Sequence, residues 1–146
     1  MSTHAVVAVM HGEVCKSIYV HSDGYPEYLG KVLNKYYDST KANFLVAQGD
    51  CSMVGIDIGE KINFGDRMTY VEDKDIGMQI ATQCRFYKRD RDEENVDFLV
   101  SHSFSELTDK YGAEYYYIMW EGVWMMSVGG KPLQALADVV NESVEA

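Results

Sequence analysis

The sequence predicts an α+β fold in which two β-hairpins form a mainly antiparallel sheet, with helices packed against it. Three observations predict this fold. Two pairs of β-rich segments flank short turns, and segments with helical periodicity follow each pair. The 146 residues are 47% apolar, which is enough for one core, so we expect a single domain over residues 1–146.

The first predicted hairpin joins residues 4–10 to residues 14–21 through a turn that begins at Gly12. A two-residue loop with glycine in first place is typical of a type II′ turn, where that position has a positive φ. In this register His4 faces His21. Both faces of the hairpin are apolar, so we expect it to lie in the centre of the sheet.

Two helices follow this hairpin. Pro26 suits the first position of a helix, and apolar side chains then recur at helical spacing: Leu29, Val32, Leu33 and Tyr36. Asp38, Ser39 and Thr40 can cap a second helix that runs to about Gln48, where Gly49 ends it.

Residues 49–78 predict a long connection, because they hold five glycines and many acids and show little periodicity. We expect at most one short strand there, near residues 68–71. Residues 80–88 then alternate as in a strand. The mixed charges of residues 89–95 end that strand and predict a solvated hairpin tip.

The C-terminal part predicts a short helix, a second hairpin and a last helix. Ser103 and Glu106 have the spacing of a capping box, and Gly112 is placed to end that helix. Residues 115–121 and 123–128 are aromatic and Met-rich, as paired strands often are. After Pro132 the last helix presents one apolar face: Leu133, Leu136, Ala137, Val140 and Val144.

The formal charge of −10 argues against binding of nucleic acid through its phosphates. We expect protein partners with basic or uncharged surfaces instead. No apolar run approaches the roughly 20 residues that span a bilayer, and the N-terminus lacks the order of a signal peptide, so we expect a cytoplasmic location and no membrane contact. Three widely separated cysteines predict reduced, packed thiols.

The end of the first hairpin is a candidate ligand site, because His21, Asp23, Tyr25 and Glu27 can converge there at a helix start. A histidine beside a carboxylate can transfer protons, and free amides can hold an anion. The same residues also make a good turn and helix start, and that structural interpretation is favoured. No cofactor and no metal is predicted. A metal at His4 and His21, with Asp23 or Cys15 as a further ligand, is only a weak candidate.

A second candidate is a partner surface later in the chain. Its aromatic members are Tyr116, Trp120 and Trp124, since Tyr and Trp are enriched at interfaces. Its acidic members are Asp90, Asp92, Glu93 and Glu94. The bases of residues 85–91 lie among aromatic residues, as in proteins that bind single strands, but these acids neutralise them.

Five segments carry a resemblance to a known group of proteins: residues 2–5, 17–30, 49–52, 87–91 and 111–118. The most distinctive is the motif Tyr-x-His-x-Asp-Gly-Tyr-Pro-x-x-x-Gly at residues 19–30. Together they resemble a widespread group of small, functionally uncharacterised proteins of bacteriophages and prophages. This chain has Ser22 where that group has tryptophan, and residues 55–77 form a longer segment.

The resemblance implies a phage origin and the host cytoplasm, and it transfers no catalytic residue. We therefore expect a non-enzymatic accessory protein that binds and inhibits or redirects a host protein, such as part of a defence system, in the manner of an anti-CRISPR. One alternative is a small-molecule or nucleotide-binding protein, or an enzyme, that uses His21, Asp23 and Tyr25. The other is an oligomeric structural component of the phage.

Overall fold

The computed structural model describes residues 3–145, with the side chains up to Asn141. Ser2 of the shared segments and the side chain of Val144 lie outside this part. The strands are β1 (Ala5–His11), β2 (Val14–Val20), β3 (Cys51–Met53), β4 (Tyr70–Asp73), β5 (Met78–Ala81), β6 (Arg85–Phe86), β7 (Leu99–Ser101), β8 (Tyr115–Trp120), β9 (Val123–Val128) and β10 (Gln134–Ala135). The helices are a π-helical segment (Pro26–Gly30), α1 (Lys31–Tyr36), α2 (Ser39–Ala47), α3 (Tyr87–Arg91), α4 (Phe104–Lys110) and α5 (Leu136–Glu145).

The main sheet has eight strands in the order β10-β9-β8-β1-β2-β3-β6, and β7 also pairs with β2. The two predicted hairpins lie side by side in its centre and are joined by parallel pairing of β1 with β8. The pairing of β2 with β3 is parallel too. The α+β prediction is confirmed, and the sheet is mixed, with antiparallel pairs in the majority.

Both hairpins have the predicted turns. In the first, Val6 pairs with Tyr19 and Met10 with Cys15, which is the predicted register that places His4 opposite His21. Gly12 has a φ of +60°. In the second, Glu121 and Gly122 both have positive φ, +51° and +78°, which is typical of a type I′ turn.

The central strands are covered on both faces. On one face the π-helical segment, α1, α2 and α5 bury the larger core, which includes Val7, Leu33 and Leu136. On the other face α4 covers a smaller core that includes Ala8 and Leu107. Because side chains alternate along a strand, His4 and Met10 belong to this α4 face, near its two ends.

Helices are present at all four predicted positions and differ from the predictions at their ends. The predicted first helix begins at Pro26, but its first five residues are π-helical. Asp38 caps α2 by accepting the Lys41 N–H at 2.8 Å. The Ser103 hydroxyl caps α4 by accepting the Glu106 N–H at 3.0 Å. The last helix begins at Leu136, because the residues after Pro132 first pair with β9 as β10.

The prediction for residues 49–95 is wrong in two places. The first is the connection, which contains the unpredicted strand β3; the short strand expected there is present as β4 at Tyr70–Asp73 and pairs with β5 in a separate two-stranded sheet. The strand predicted over residues 80–88 is divided between β5, β6 and α3. The charged cluster predicted as a hairpin tip therefore begins in a helix, and the side chain of Asp90 is buried.

Candidate functional site

His4, Tyr19 and His21 form a cluster at one end of the α4 face, here called the histidine–tyrosine cluster. The register of the first hairpin places them there, since Tyr19 lies on β2, His21 directly follows β2, and His4 directly precedes β1. The ring centroids of the two histidines are 4.8 Å apart. The predicted proximity of His4 and His21 is confirmed.

The Tyr19 hydroxyl lies between the two imidazoles. It makes hydrogen bonds with Nδ1 of His4 and, at 3.0 Å, with Nδ1 of His21. Burial raises the pKa of Tyr19, and Tyr87 and Asp50 raise it further, so the hydroxyl keeps its proton. Because that single proton can be donated to only one Nδ1, at least one histidine donates its own Nδ1–H to the Tyr19 oxygen.

Asp50, the residue before β3, supports this cluster. Its carboxylate accepts the backbone N–H of Tyr19 at 2.8 Å. Burial raises the pKa of Asp50 to about 6, against the effect of that hydrogen bond, and Asp97 and Glu93 raise it further. Asp50 therefore places an acidic group beside the cluster. Asp50 is not among the predicted site residues, and its one signal in the sequence is the shared segment at residues 49–52.

The structure separates the predicted ligand residues into two groups. Asp23, Tyr25 and Glu27 lie near one another, since both acids raise the pKa of Tyr25 after burial does. Tyr25 packs with Tyr28 at the edge of the larger core, with ring centroids 6.4 Å apart. In the described part of the chain, no hydrogen bond joins His21 to any of these three. The partner that sequence reasoning missed is Tyr19, which has the same strand parity as His21.

The glycines of the motif have structural reasons. A Cβ atom at Gly24 would lie 2.5 Å from the Ala5 Cβ, and one at Gly30 would lie 3.2 Å from a Leu136 methyl group. The backbone of Gly24 is also held at both ends. Its N–H donates to the Thr3 carbonyl at 2.9 Å, and its carbonyl accepts the Tyr117 hydroxyl at 2.7 Å. This turn is thus packed scaffold beside the cluster.

The weak candidate metal site at His4 and His21 gains no further ligand from Asp23 or Cys15, the residues proposed for that role. Cys15 is buried opposite Met10, toward the other end of the hairpin, and burial raises its pKa to about 11. Among the side chains that the structure describes, no three from His, Cys, Asp and Glu lie close enough to hold a metal ion. A metal at His4 and His21 would therefore need a donor of another type.

The predicted partner surface is only partly exposed. Tyr116 and Trp124 are buried in the two cores, and Asp90 accepts hydrogen bonds from Arg89 and from the N–H groups of Ile62 and Phe86. These three side chains are not available to a partner. Trp120 is 47% exposed.

The acidic segment near α3 is exposed and is largely paired with local bases. Asp92 pairs with Lys61, and Glu93 pairs with Arg91. Glu94 is exposed and forms no ion pair with a described residue. Much of the negative charge of this segment is therefore neutralised within the chain.

Trp120 borders an apolar pocket at the other end of the α4 face. The pocket has a volume of about 130 Å³ and a wholly apolar lining: Met10, Phe104, Ile118, Trp120, Met125 and Leu133. Val123, which pairs with Trp120 across the hairpin, is 52% exposed. We call this pocket with Trp120 and Val123 the Trp120 patch. A groove of about 450 Å³ lies beside it, between the two hairpin turns.

Searches of protein-family models, curated proteins and solved structures each found no match to this chain. Within residues 3–145, no helix has both the length and the apolar character needed to cross a membrane.

Proposed function

We propose that this protein is a non-enzymatic phage accessory protein that binds a host protein in the host cytoplasm and inhibits or redirects it. The observation that carries the proposal is the exposure of Trp120, at 47%, beside a pocket with a wholly apolar lining. Large apolar side chains left in water beside a pocket are a common sign of a binding surface. The resemblance of the motif at residues 19–30 supports the phage origin.

The Trp120 patch has the features of an energetic centre in a protein interface. Tryptophan is among the residues that most often dominate binding energy, and it does so next to well-packed pockets. The adjoining pocket has room for a single apolar side chain of the partner. Val123 extends the apolar area on the same strand pair.

The charges at the rim define the partner further. Glu13 and Glu121 lie in the two turns at this end of the sheet, and both are exposed. Neither forms an ion pair with a described residue, whereas the acids near α3 largely do. A partner segment with an apolar side chain flanked by Lys or Arg complements this arrangement and the net charge of −10.

The role that we propose for this complex is interference with a host defence system, as an anti-CRISPR or a similar inhibitor. Inhibition by occupation needs a stable complex and no catalytic group, which fits a turn at Gly24 whose N–H and carbonyl are both hydrogen-bonded within the chain.

The test is quantitative affinity capture from a bacterial lysate with the wild-type chain, Trp120→Ser and the control Phe44→Ser. Phe44 is also an exposed aromatic residue, at 62%, and it lies on α2 and lines neither the pocket nor the groove. We expect a protein whose recovery falls at least about tenfold with Trp120→Ser and is unchanged with Phe44→Ser, since hot-spot truncation costs 2 kcal/mol or more. Equal recovery with both variants would contradict the proposal.

A second copy of the chain is the competing occupant of the patch. Light scattering separates the two, since an oligomer that dissociates with Trp120→Ser would replace the proposal by the oligomeric alternative. A monomeric mass together with Trp120-dependent capture supports a host partner.

A further inference from the structure

We propose that the histidine–tyrosine cluster is a binding site for a first-row transition metal ion, held by Nδ1 of His4, Nδ1 of His21 and the phenolate oxygen of Tyr19. The site is independent of the proposed partner surface, which lies at the opposite end of the α4 face. The Tyr19 oxygen supplies the third donor atom that the two histidines lack.

Two of the donor atoms, the Tyr19 oxygen and the His21 Nδ1, are already spaced as a metal ion requires. Metal bonds to nitrogen and oxygen are about 2.0–2.2 Å long, so neighbouring donors around one ion lie roughly 3 Å apart. The Tyr19 oxygen and the His21 Nδ1 are 3.0 Å apart, and the same oxygen makes a hydrogen bond with the His4 Nδ1. Movement of the His4 ring away from the Tyr19 oxygen would therefore admit an ion between the three atoms.

Binding replaces a proton with the metal. The Tyr19 O–H bond breaks, an oxygen–metal bond forms, and the proton passes to the solvent. Both histidines bind through a neutral Nδ1 lone pair, so an Nδ1 hydrogen in the metal-free network moves to Nε2. No electron transfer is required. The ion then links the residue before β1 to the residue after β2, and it clamps the open end of the first hairpin.

The surrounding charges favour a cation over an anion. The Asp50 carboxylate lies beside Tyr19, with its oxygen 2.8 Å from the Tyr19 nitrogen. Among the described residues, no Lys or Arg side chain makes a hydrogen bond or an ion pair with the cluster. A phosphate group would need such cations, and the chain has a net charge of −10.

The donor set indicates the metal. Imidazole suits copper, zinc, nickel and iron, and affinity at such sites peaks at Cu²⁺ among the divalent ions. A phenolate bound to Cu²⁺ also gives a charge-transfer band in visible light, which ordinary surface histidines do not give.

The experiment titrates the full chain with CuCl₂ and records visible absorption and the dissociation constant. An N-terminal extension keeps the free α-amino group away from His4. We expect one equivalent of copper and a charge-transfer band that Tyr19→Phe abolishes. Loss of an outer partner of a metal ligand weakens binding 10–100-fold, so loss of the direct ligand in His21→Gln should weaken it about 100-fold or more.

The control is His102→Gln, since His102 is exposed at the start of α4 and distant from the cluster in sequence. It should bind copper as the wild type does. The proposal is overturned if the band is absent, if it survives in Tyr19→Phe, or if His21→Gln and His102→Gln bind equally. Melting of each variant without metal verifies folding, and Tyr19→Phe, which removes one oxygen, carries the test if His21→Gln does not fold.

Discussion

The two central hairpins and the segment between residues 49 and 98 are built in different ways. The hairpins pair without interruption over seven residues in β1 and six in β8. Their turns are local, with positive φ at Gly12, Glu121 and Gly122. The segment between them has strands of only two to four residues, in β3 to β6.

Buried carboxylates hold this second region together. Asp73 accepts hydrogen bonds from Lys35 and Tyr36 of α1 and from the N–H groups of Asp75 and Ile76. Asp90 similarly joins α3 to β6 and to Ile62. The difference shows that alternation and turn chemistry specify the hairpins, whereas polar contacts between distant residues specify the connection.

Removal of Asp90 should have the largest effect. Asp90→Ala leaves the Arg89 guanidinium, whose side chain is 15% exposed, without its counter-charge, and it leaves two N–H groups without acceptors. Breaking a buried pair costs about 3–5 kcal/mol, and we expect that decrease in the free energy of unfolding measured in urea.

The matched control is Asp92→Asn, because Asp92 has a φ of +53° that asparagine also tolerates. Asp92 is also paired, with Lys61 at 3.6 Å, but its side chain is 85% exposed, so loss of its charge should change stability by less than about 0.5 kcal/mol. Equal losses for the two variants would mean that buried charge does not hold the connection.

A methyl group at Gly55 should have the next largest effect. A Cβ atom there would lie 2.5 Å from the Gln83 carbonyl oxygen and 2.7 Å from that of Ala81. Both are backbone atoms, and Ala81 also accepts the Ile56 N–H at 2.9 Å, so they cannot yield without loss of that bond. We expect Gly55→Ala to lower the unfolding free energy by about 3 kcal/mol, the upper end for overpacking.

Gly65 in the same segment tests whether this cost is specific. A Cβ atom at Gly65 meets no atom within 4 Å, and its φ is not positive. Gly65→Ala should therefore be neutral or stabilise the chain by about 0.5 kcal/mol. A similar loss at both glycines would point to general sensitivity of the segment and not to close packing.

The same contrast explains what the sequence could predict. The register of the first hairpin follows from Gly12 and the alternation of β1 and β2, and both turns follow from short-range chemistry. The role of Asp73 could not be predicted, because Lys35 is 38 residues away and no periodicity connects them. The end of the strand at Phe86 could not be predicted for the same reason. Asp90 accepts the N–H groups of both Phe86 and Ile62, and Ile62 is distant in the sequence.

The candidate sites follow this pattern. The contact of His4 with His21 was predictable from the hairpin register, and Tyr19 could have been included on the same parity argument. The exposure of Trp120 was not predictable, because Tyr116 and Trp124 lie in the same aromatic and Met-rich strand pair and are buried. Which strand end is covered depends on where α4 and Leu133 pack.

The pH dependence of stability should identify Asp73. Hydrogen bonds from Lys35 and Tyr36 lower its pKa from 3.8 to about 2, and its side chain is 4% exposed. Because the folded pKa is the lower one, the stabilisation of about 2 kcal/mol is present above pH 4 and is lost as the pH falls toward 2. Asp73→Asn lacks the carboxylate and therefore this stabilisation. The difference in unfolding free energy between the wild type and Asp73→Asn should therefore shrink below pH 4.

Asp75→Asn is the control, since Asp75 pairs with the same Lys35 at the same 2.8 Å and its side chain is 83% exposed. It should change stability by less than about 0.5 kcal/mol at any pH. A pH-independent difference for Asp73→Asn would show that shape, and not charge, accounts for its contribution.

The smallest effect on stability should come from a substitution in a hairpin turn, because it alters only the conformation of that turn. Glu121 has a φ of +51° in the type I′ turn, a conformation that asparagine tolerates better than glutamate. Glu121→Asn should therefore raise the unfolding free energy by about 0.5–1 kcal/mol. Glu13 occupies the other turn without a positive φ, so Glu13→Asn should give no gain. If both variants behave alike in urea unfolding, local turn conformation does not limit hairpin stability, and the contrast with the connection loses its basis.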